Sequence, residues 1–461
     1  MKTTIKYFSA LTLWLCACGN SLSAQDSTKV LSLDDCIKIG LTQSAQILES
    51  ENSVQITGAS LMGAYGQFLP DLNFNSNYGY LGGNNLLTTT EPTLVHARET
   101  QLNYQLSSTI NLFNGFSDYS ALKAAILTKS ASQYNLERAE QQITFDITQT
   151  FLQIILDRKI VNYAQKNLDV STLREAQLQE QTNVGRRTIA DLYQQQAETS
   201  NDKLLQIQSE DKLKNDIILL LRKMKISQTD KYKIGEMVVD TLPLGAAYQN
   251  LQNLVDTAIA QRPDLKSSEL NMKIGDWQIE GYKSGYLPKL YLQGGMVSNG
   301  GYFNQLYVNG ADVLGPQEPY GKALFGQVYG EVALSLSWHI FDRLYNKTNV
   351  DIATINERND EIEHDDLMVQ ISSDVKQAYN DYIAALQQIS TSTRGLIAAQ
   401  QAFYVIQGQY DVGRTDFVTL SNSQTTLLQA QVNKAQSDVN LALQKKIIDF
   451  YIGSNHLFSS K

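Results

Sequence analysis

Asp360, Glu361, Glu363, His364, Asp365 and Asp366 form the densest group of side chains able to hold a cation or move a proton. They fall within a long helical stretch, where such a charge run reads as a solvated face. The other histidines, His96, His339 and His456, are scattered, and the chain has neither a His-Glu-x-x-His segment nor a paired-cysteine arrangement. The sequence also lacks a phosphate-cradling glycine loop, a dinucleotide fingerprint and a nucleophile motif. No catalytic residue, metal or cofactor is expected, and the chain reads as a non-enzyme.

What recurs is a pattern of positions. Asp146, Gln149, Phe151, Ile154 and Ile155 reappear as Asp374, Gln377, Tyr379, Tyr382 and Ile383, and Val184-Gly185-Arg186 reappears as Val412-Gly413-Arg414, always 228 positions later. Leu69-Pro70-x-Leu72 returns as Leu287-Pro288-x-Leu290. Tandem copies of one supersecondary plan account for this. The expected organisation is a signal segment over 1–24, a first repeat over 25–240 and a second over 241–461.

Each repeat contains two kinds of periodicity. Leu72, Phe74, Tyr78 and Tyr80 alternate with Asn73, Asn75, Asn77 and Gly79, and Leu102 to Leu112 alternate with Asn103, Gln105, Ser107, Thr109 and Asn111. A period of two makes strands with an apolar face and an amide-rich face. Leu290, Leu292 and Met296, then Val332, Leu334, Leu336, Trp338 and Ile340, repeat the pair, giving expected strand pairs over 70–114 and 288–342. Such strands suit a membrane barrel, although a soluble sandwich would use the same alternation. The stretches Leu81 to Gln101 and Ser298 to Gly326 are expected as long external loops. Four strands cannot close a barrel, which starts at about eight.

From Ser117 to Asn183 there is no glycine or proline, and Ile143, Ile147, Phe151, Ile154 and Ile155 share one helical face. A helix of that span is about 100 Å long. Its counterpart over Lys347 to Val412 carries Ile371, Val375, Tyr379, Tyr382, Ile383 and Leu386 in phase, interrupted by Gly395 and Gly408. Each helix meets Val-Gly-Arg and restarts, which predicts helical hairpins over 117–226 and 346–452, with Gly185 and Gly413 left-handed. Thr188, and Thr415 or Asp416, can cap the returning helices. Residues 31–65 and 249–283 read as shorter helices, and 223–248 as a connector. A filamentous coiled-coil scaffold would share the helices but not the strands.

The N-terminus has Lys2 and Lys6 before an apolar stretch from Tyr7 to Cys18, as in a secretory signal. Cleavage after Ala24 is one reading; Leu15-Cys16-Ala17-Cys18 as a lipobox, leaving a lipidated Cys18, is the other. Cys36 is then the one remaining thiol, and it reads as a small buried residue. A net charge of −9 provides no basic footprint for nucleic acid. No later run approaches the roughly 18 apolar residues of a membrane helix.

The order helix, Leu-Pro-x-Leu, strand, loop, strand, long helix, Val-Gly turn and helix, written twice behind a signal, resembles the TolC-like outer-membrane efflux protein family over nearly the whole mature chain. The resemblance implies a mainly α fold with a membrane β-barrel. It implies a homotrimer with twelve strands in the outer membrane and a tunnel of long helices in the periplasm. It also implies partners: outer-membrane lipid, a periplasmic adaptor (membrane fusion protein) and an inner-membrane pump. The function implied is an exit duct for small molecules, and a type I protein-secretion duct is the alternative. By the same resemblance Val184, Gly185, Arg186, Val412, Gly413 and Arg414 form an adaptor-contacting tip. Asp191 and Tyr410 would form a periplasmic gate through a carboxylate–phenol hydrogen bond. Thr419 and Asn422 stand where many relatives carry aspartates of a constriction ring.

Overall fold

The computed structural model describes residues 29–88, 92–227, 231–245, 248 and 250–453. The expected signal segment, with Cys18, lies outside the described residues, as does His456. The elements run β1 (Lys29–Leu31), α1 (Leu33–Gln43), α2 (Ala45–Gly66), β2 (Asn73–Thr88), β3 (Pro92–Phe113), α3 (Ser117–Asn183) and α4 (Ile189–Lys223). They continue β4 (Tyr232–Ile234), α5 (Leu251–Gln261), α6 (Pro263–Lys283), β5 (Lys289–Val308), β6 (Ala311–Asp312), α7 (Tyr320–Phe325), β7 (Val328–Ser337), α8 (Tyr345–Asp411) and α9 (Phe417–Tyr451).

The chain is mostly helical, with an antiparallel sheet at one end. Helices α3 and α8 have 67 residues each, and α4 and α9 have 35 each. A lone helix gains little from propensity, so helices of this length need an apolar stripe buried against neighbours. The stripe of α3 does this: Ile143, Ile147, Phe151, Ile154 and Ile155 are buried with Cys36 and Ile37 of α1 and Leu220 and Leu221 of α4. On α8, Ile371, Val375 and Tyr382 pack with Leu254 and Val255 of α5 and with Leu441 and Ile448 of α9. Ile383, expected in that stripe, is 37% exposed. Leu152 and Leu156 of α3 meet Ala435 and Val439 of α9, which joins the two hairpins. Gly395 and Gly408 leave α8 unbroken.

The sheet order is β2-β3-β5-β7, antiparallel throughout, with β6 on the far part of β5. Phe74, Tyr78, Leu106, Met296, Val332, Leu334 and Leu336 are exposed on one face, as the alternation predicts. Two expected loops are corrected here. Leu81 to Gln101 is largely ladder, with Leu81 opposite Glu99 and Gly82 opposite Arg98, and β5 runs on to Val308. Their Gly and Asn residues weaken the alternation, but backbone pairing requires no particular side chain. In the other direction, β7 ends at Ser337, and Trp338 leaves the ladder to donate from Nε1 to the Tyr286 carbonyl at 3.1 Å.

Three smaller expectations also change. The first short helix is two, broken at Ser44, whose ψ of 135° is not helical. Residues 29–31 form a strand. The connector holds β4, which pairs in parallel with β1, Leu31 lying opposite Ile234. The passage from sheet to long helix uses left-handed pairs in both places, Gly115-Phe116 before α3 and Arg343-Leu344 before α8.

Candidate functional site

The two Val-Gly-Arg turns are built alike. Gly185 and Gly413 have φ of 72° and 73°, the left-handed conformation that glycine adopts without strain. Arg186 N–H donates to the Gln181 carbonyl at 2.8 Å and Gly185 N–H to Thr182 at 3.0 Å, while Arg414 N–H donates to Gln409 at 2.8 Å and Gly413 N–H to Tyr410 at 3.0 Å. These paired bonds satisfy the last carbonyls of each long helix. The returning helices start on caps: Thr188 Oγ1 accepts from Asp191 N–H, and Asp416 accepts from Thr419 N–H at 2.7 Å. That last bond holds the Asp416 carboxyl below its usual range. Val184 and Val412 are 66% and 68% exposed at the turns, so each turn presents an apolar side chain next to an arginine.

Behind the turns the hairpins touch. Leu178 of α3, Leu192 of α4 and Phe417 of α9 are buried together, and Tyr410 of α8 packs on them. The Tyr410 and Phe417 rings lie edge to face at 6.4 Å. The Arg187 guanidinium stands over the Tyr410 ring, 4.7 Å from its centroid. Burial raises the Tyr410 phenol above the ordinary tyrosine range, with Arg187 and Arg174 pulling the other way.

The expected gate pair is not hydrogen-bonded within the protomer. Asp191 instead completes a capping box, accepting from Thr188 N–H at 3.4 Å. Its charge is near enough to Tyr410 to help raise the phenol. Thr419 and Asn422 are exposed on α9.

A partly buried polar layer, not expected from the sequence, lies further from the turns. Arg174 Nη1 donates to Gln424 Oε1 at 2.5 Å, and Gln424 Nε2 donates to Asn167 Oδ1 at 2.8 Å. Ser421 donates to Glu198, and Ser171 to Asp202. Burial lowers the Arg174 guanidinium and raises the Asp202 carboxyl. Periodicity could have found the apolar part of this region, since Leu178 and Leu192 sit seven residues either side of Gly185. It could not have found Arg187 or Arg174, which look like surface charges until the second hairpin is placed beside the first.

Among the described residues no group of three or more His, Cys, Asp or Glu side chains is placed to hold a metal ion, and no helix is long and apolar enough to cross a membrane. The arrangement offers a hydrogen-bonded turn, an apolar contact surface and a joint between hairpins.

The family model described as outer membrane efflux protein matches residues 254–453. No curated protein matches the sequence. Solved structures do match the fold. The outer membrane channel CmeC of Campylobacter jejuni superposes with a TM-score of 0.75 at 15% identity, covering 91% of this chain and 85% of that one. The outer membrane protein VceC of Vibrio cholerae gives 0.76 at 12% identity, covering 92% and 96%. The open state of the MtrE outer membrane channel of Neisseria gonorrhoeae gives 0.69 at 16% identity, covering 92% and 89%. The resemblance read from the sequence therefore holds: the chain has the fold of the TolC-like outer-membrane efflux channels.

Proposed function

We propose that this outer-membrane channel is the exit duct of a tripartite efflux system, a homotrimer that passes small molecules from an inner-membrane pump and its periplasmic adaptor to the outside. The observation that carries the reading is the sheet with two open edges. β2 and β7 are its end strands, and among the described residues neither has a strand on its outer side. Unpaired strand edges cannot face lipid, where no water satisfies the backbone. Four principal strands are about half of the smallest membrane barrel. Because the strands alternate in direction, β7 of one copy can continue the antiparallel order onto β2 of the next, and three copies supply twelve.

The matching lengths of α3 and α8 and of α4 and α9 support division into tandem repeats over 25–240 and 241–461. The tips Val184, Gly185, Arg186, Val412, Gly413 and Arg414 are the surface for an adaptor helix, which would seat the exposed valines in an apolar seam. Tyr410 and Asp191 belong to the gate. With the tip residues held by α3–α4 and α8–α9 packing, opening requires one hairpin to move against the other.

The test is functional. Cells lacking the chain should accumulate a fluorescent pump substrate, and the intact chain should restore its expulsion. Full restoration by a variant with both Val-Gly-Arg turns replaced by flexible linkers would contradict the proposal.

A further inference from the structure

The segment between β6 and β7 does not stand clear of the sheet as an external loop. Asn309-Gly310, with φ of 47° and 82°, turns β5 back on itself, as suits a two-residue hairpin. Gln317 then closes the bare upper edge of β5: Phe303 N–H donates to its Oε1 at 3.0 Å, and its Nε2 donates to the Phe303 carbonyl at 2.7 Å. From Pro319 the chain enters α7, which lies across the sheet. Tyr320 reaches β2, its hydroxyl 3.2 Å from that of Tyr78, and it packs edge to face on Tyr302 of β5 at 5.0 Å. The Tyr104 hydroxyl of β3 donates to the Phe325 carbonyl at 3.3 Å. Leu324 is buried against Gly300, where a Cβ would meet the Leu324 carbonyl oxygen at 2.0 Å.

The side of the sheet that α7 covers follows from the register. Tyr104 lies opposite Ser76 and Ser298, and Leu102 opposite Tyr78 and Gly300. These positions continue the face that carries Phe74, Leu106, Met296, Val332, Leu334 and Leu336. Helix α7 therefore rests on the apolar face, not on the amide-rich one. Its height is also fixed. β7 has 10 residues and starts at Val328, opposite Ser298, which is the length a tilted membrane strand needs. Helix α7 sits at the distal end of that band, away from the long helices. Tyr320 and Phe325 are 46% and 61% exposed beside Leu324, while Lys322 and Glu318 form an exposed ion pair at 2.9 Å. Aromatic rings next to solvated charges are the composition of a membrane–water boundary.

We propose that α7 is an interfacial anchor on the outside of the barrel, docking against outer-leaflet lipid at the junction of acyl chain and headgroup. The occupant follows from continuity: the patch extends the lipid-facing surface of the sheet, so the same lipid covers both. An amphipathic helix lying in the interface plane gains from apolar burial while keeping its ion pair wet. Here it would set the depth of the barrel without narrowing the pore. The inference rests on the barrel reading above.

The experiment places single reporters in the full chain. In a Trp14→Phe, Trp277→Phe, Trp338→Phe background, Phe325→Trp and, separately, Leu334→Trp are reconstituted into vesicles containing phospholipids brominated either near the headgroup end or near the methyl end of the acyl chain. Emission of the Phe325→Trp variant should be lost more to shallow than to deep bromine and resist aqueous iodide. Quenching of the Leu334→Trp variant but not of Phe325→Trp, with iodide reaching the latter freely, would overturn the anchor and leave the barrel standing. Absence of bromine quenching at both positions would overturn both.

Discussion

The guanidinium of Arg187, in the turn between α3 and α4, lies 4.7 Å from the centre of the Tyr410 ring at the end of α8. It is a contact between the two hairpins at the level where a gate would have to open. A cation over an aromatic face contributes about 0.5–2 kcal/mol, depending on how dry it is. Tyr410 is half-buried and its phenol is raised, so the neutral ring is available to the cation at any pH below the ordinary tyrosine range.

Arg187→Ala should therefore loosen the joint and raise the open probability of reconstituted channels, while Arg187→Lys should restore part of the closure. Tyr410→Phe keeps the ring and should retain the part of the closure that Arg187 supplies. Identical gating in Arg187→Ala and the parent would mean the contact holds nothing shut.

Asp191 separates two roles. As a capping residue it steadies the first turn of α4, and losing a cap costs about 0.5–2 kcal/mol. As a gate residue its carboxylate would hold a partner across the tunnel. Asp191→Ala should increase single-channel conductance, whereas Thr188→Ala, which removes the reciprocal capping bond and leaves the carboxylate, should lower thermal stability without that increase. Equal conductance in the two variants and the parent would leave Asp191 as a cap alone.

Gly413 has open space around the position of a Cβ but a φ of 73°. Gly413→Val thus brings a Cβ with no neighbour within 4 Å and costs backbone strain, about 1–2 kcal/mol for an L-residue held left-handed. Reshaping of the tip should weaken expulsion of a pump substrate, and Gly413→Asn, which tolerates this conformation better, should weaken it less. Normal expulsion by the valine variant would detach the turn from coupling.

Cys36 is fully buried between α1 and the stripe of α3. Burial, with the Asp35 charge adding to it, pushes its thiol from 9.0 up to about 12. Because the folded value is raised, the associated stability is whole below about pH 9 and is lost as pH climbs toward 12. Maleimide should leave the folded protein unlabelled at neutral pH and label it once in urea. Rapid labelling without denaturant would show that α1 opens locally.

The features legible in the sequence were those with a period. The stripes of α3 and α8, the alternation in β2, β3 and β7, and the doubled Val-Gly-Arg turns each follow from repeated local choices. Strand length was not legible, because Gly82, Gly83 and Asn84 break the alternation while their backbones stay paired with Arg98, Ala97 and His96. β1 and β4 are three residues each, too short to show a period. Arg187 finds its aromatic ring and Arg174 its hydrogen-bond partner on the other hairpin, and α7 is seated by residues of distant strands. Pairings of that kind leave no local mark.

The most direct test of the duct is single-channel conductance of detergent-extracted protein in a planar bilayer, with the oligomer mass taken from the same preparation. A trimer with small, gated conductance is predicted. A water-soluble monomer without pores would contradict the account and return the chain to a periplasmic helical scaffold.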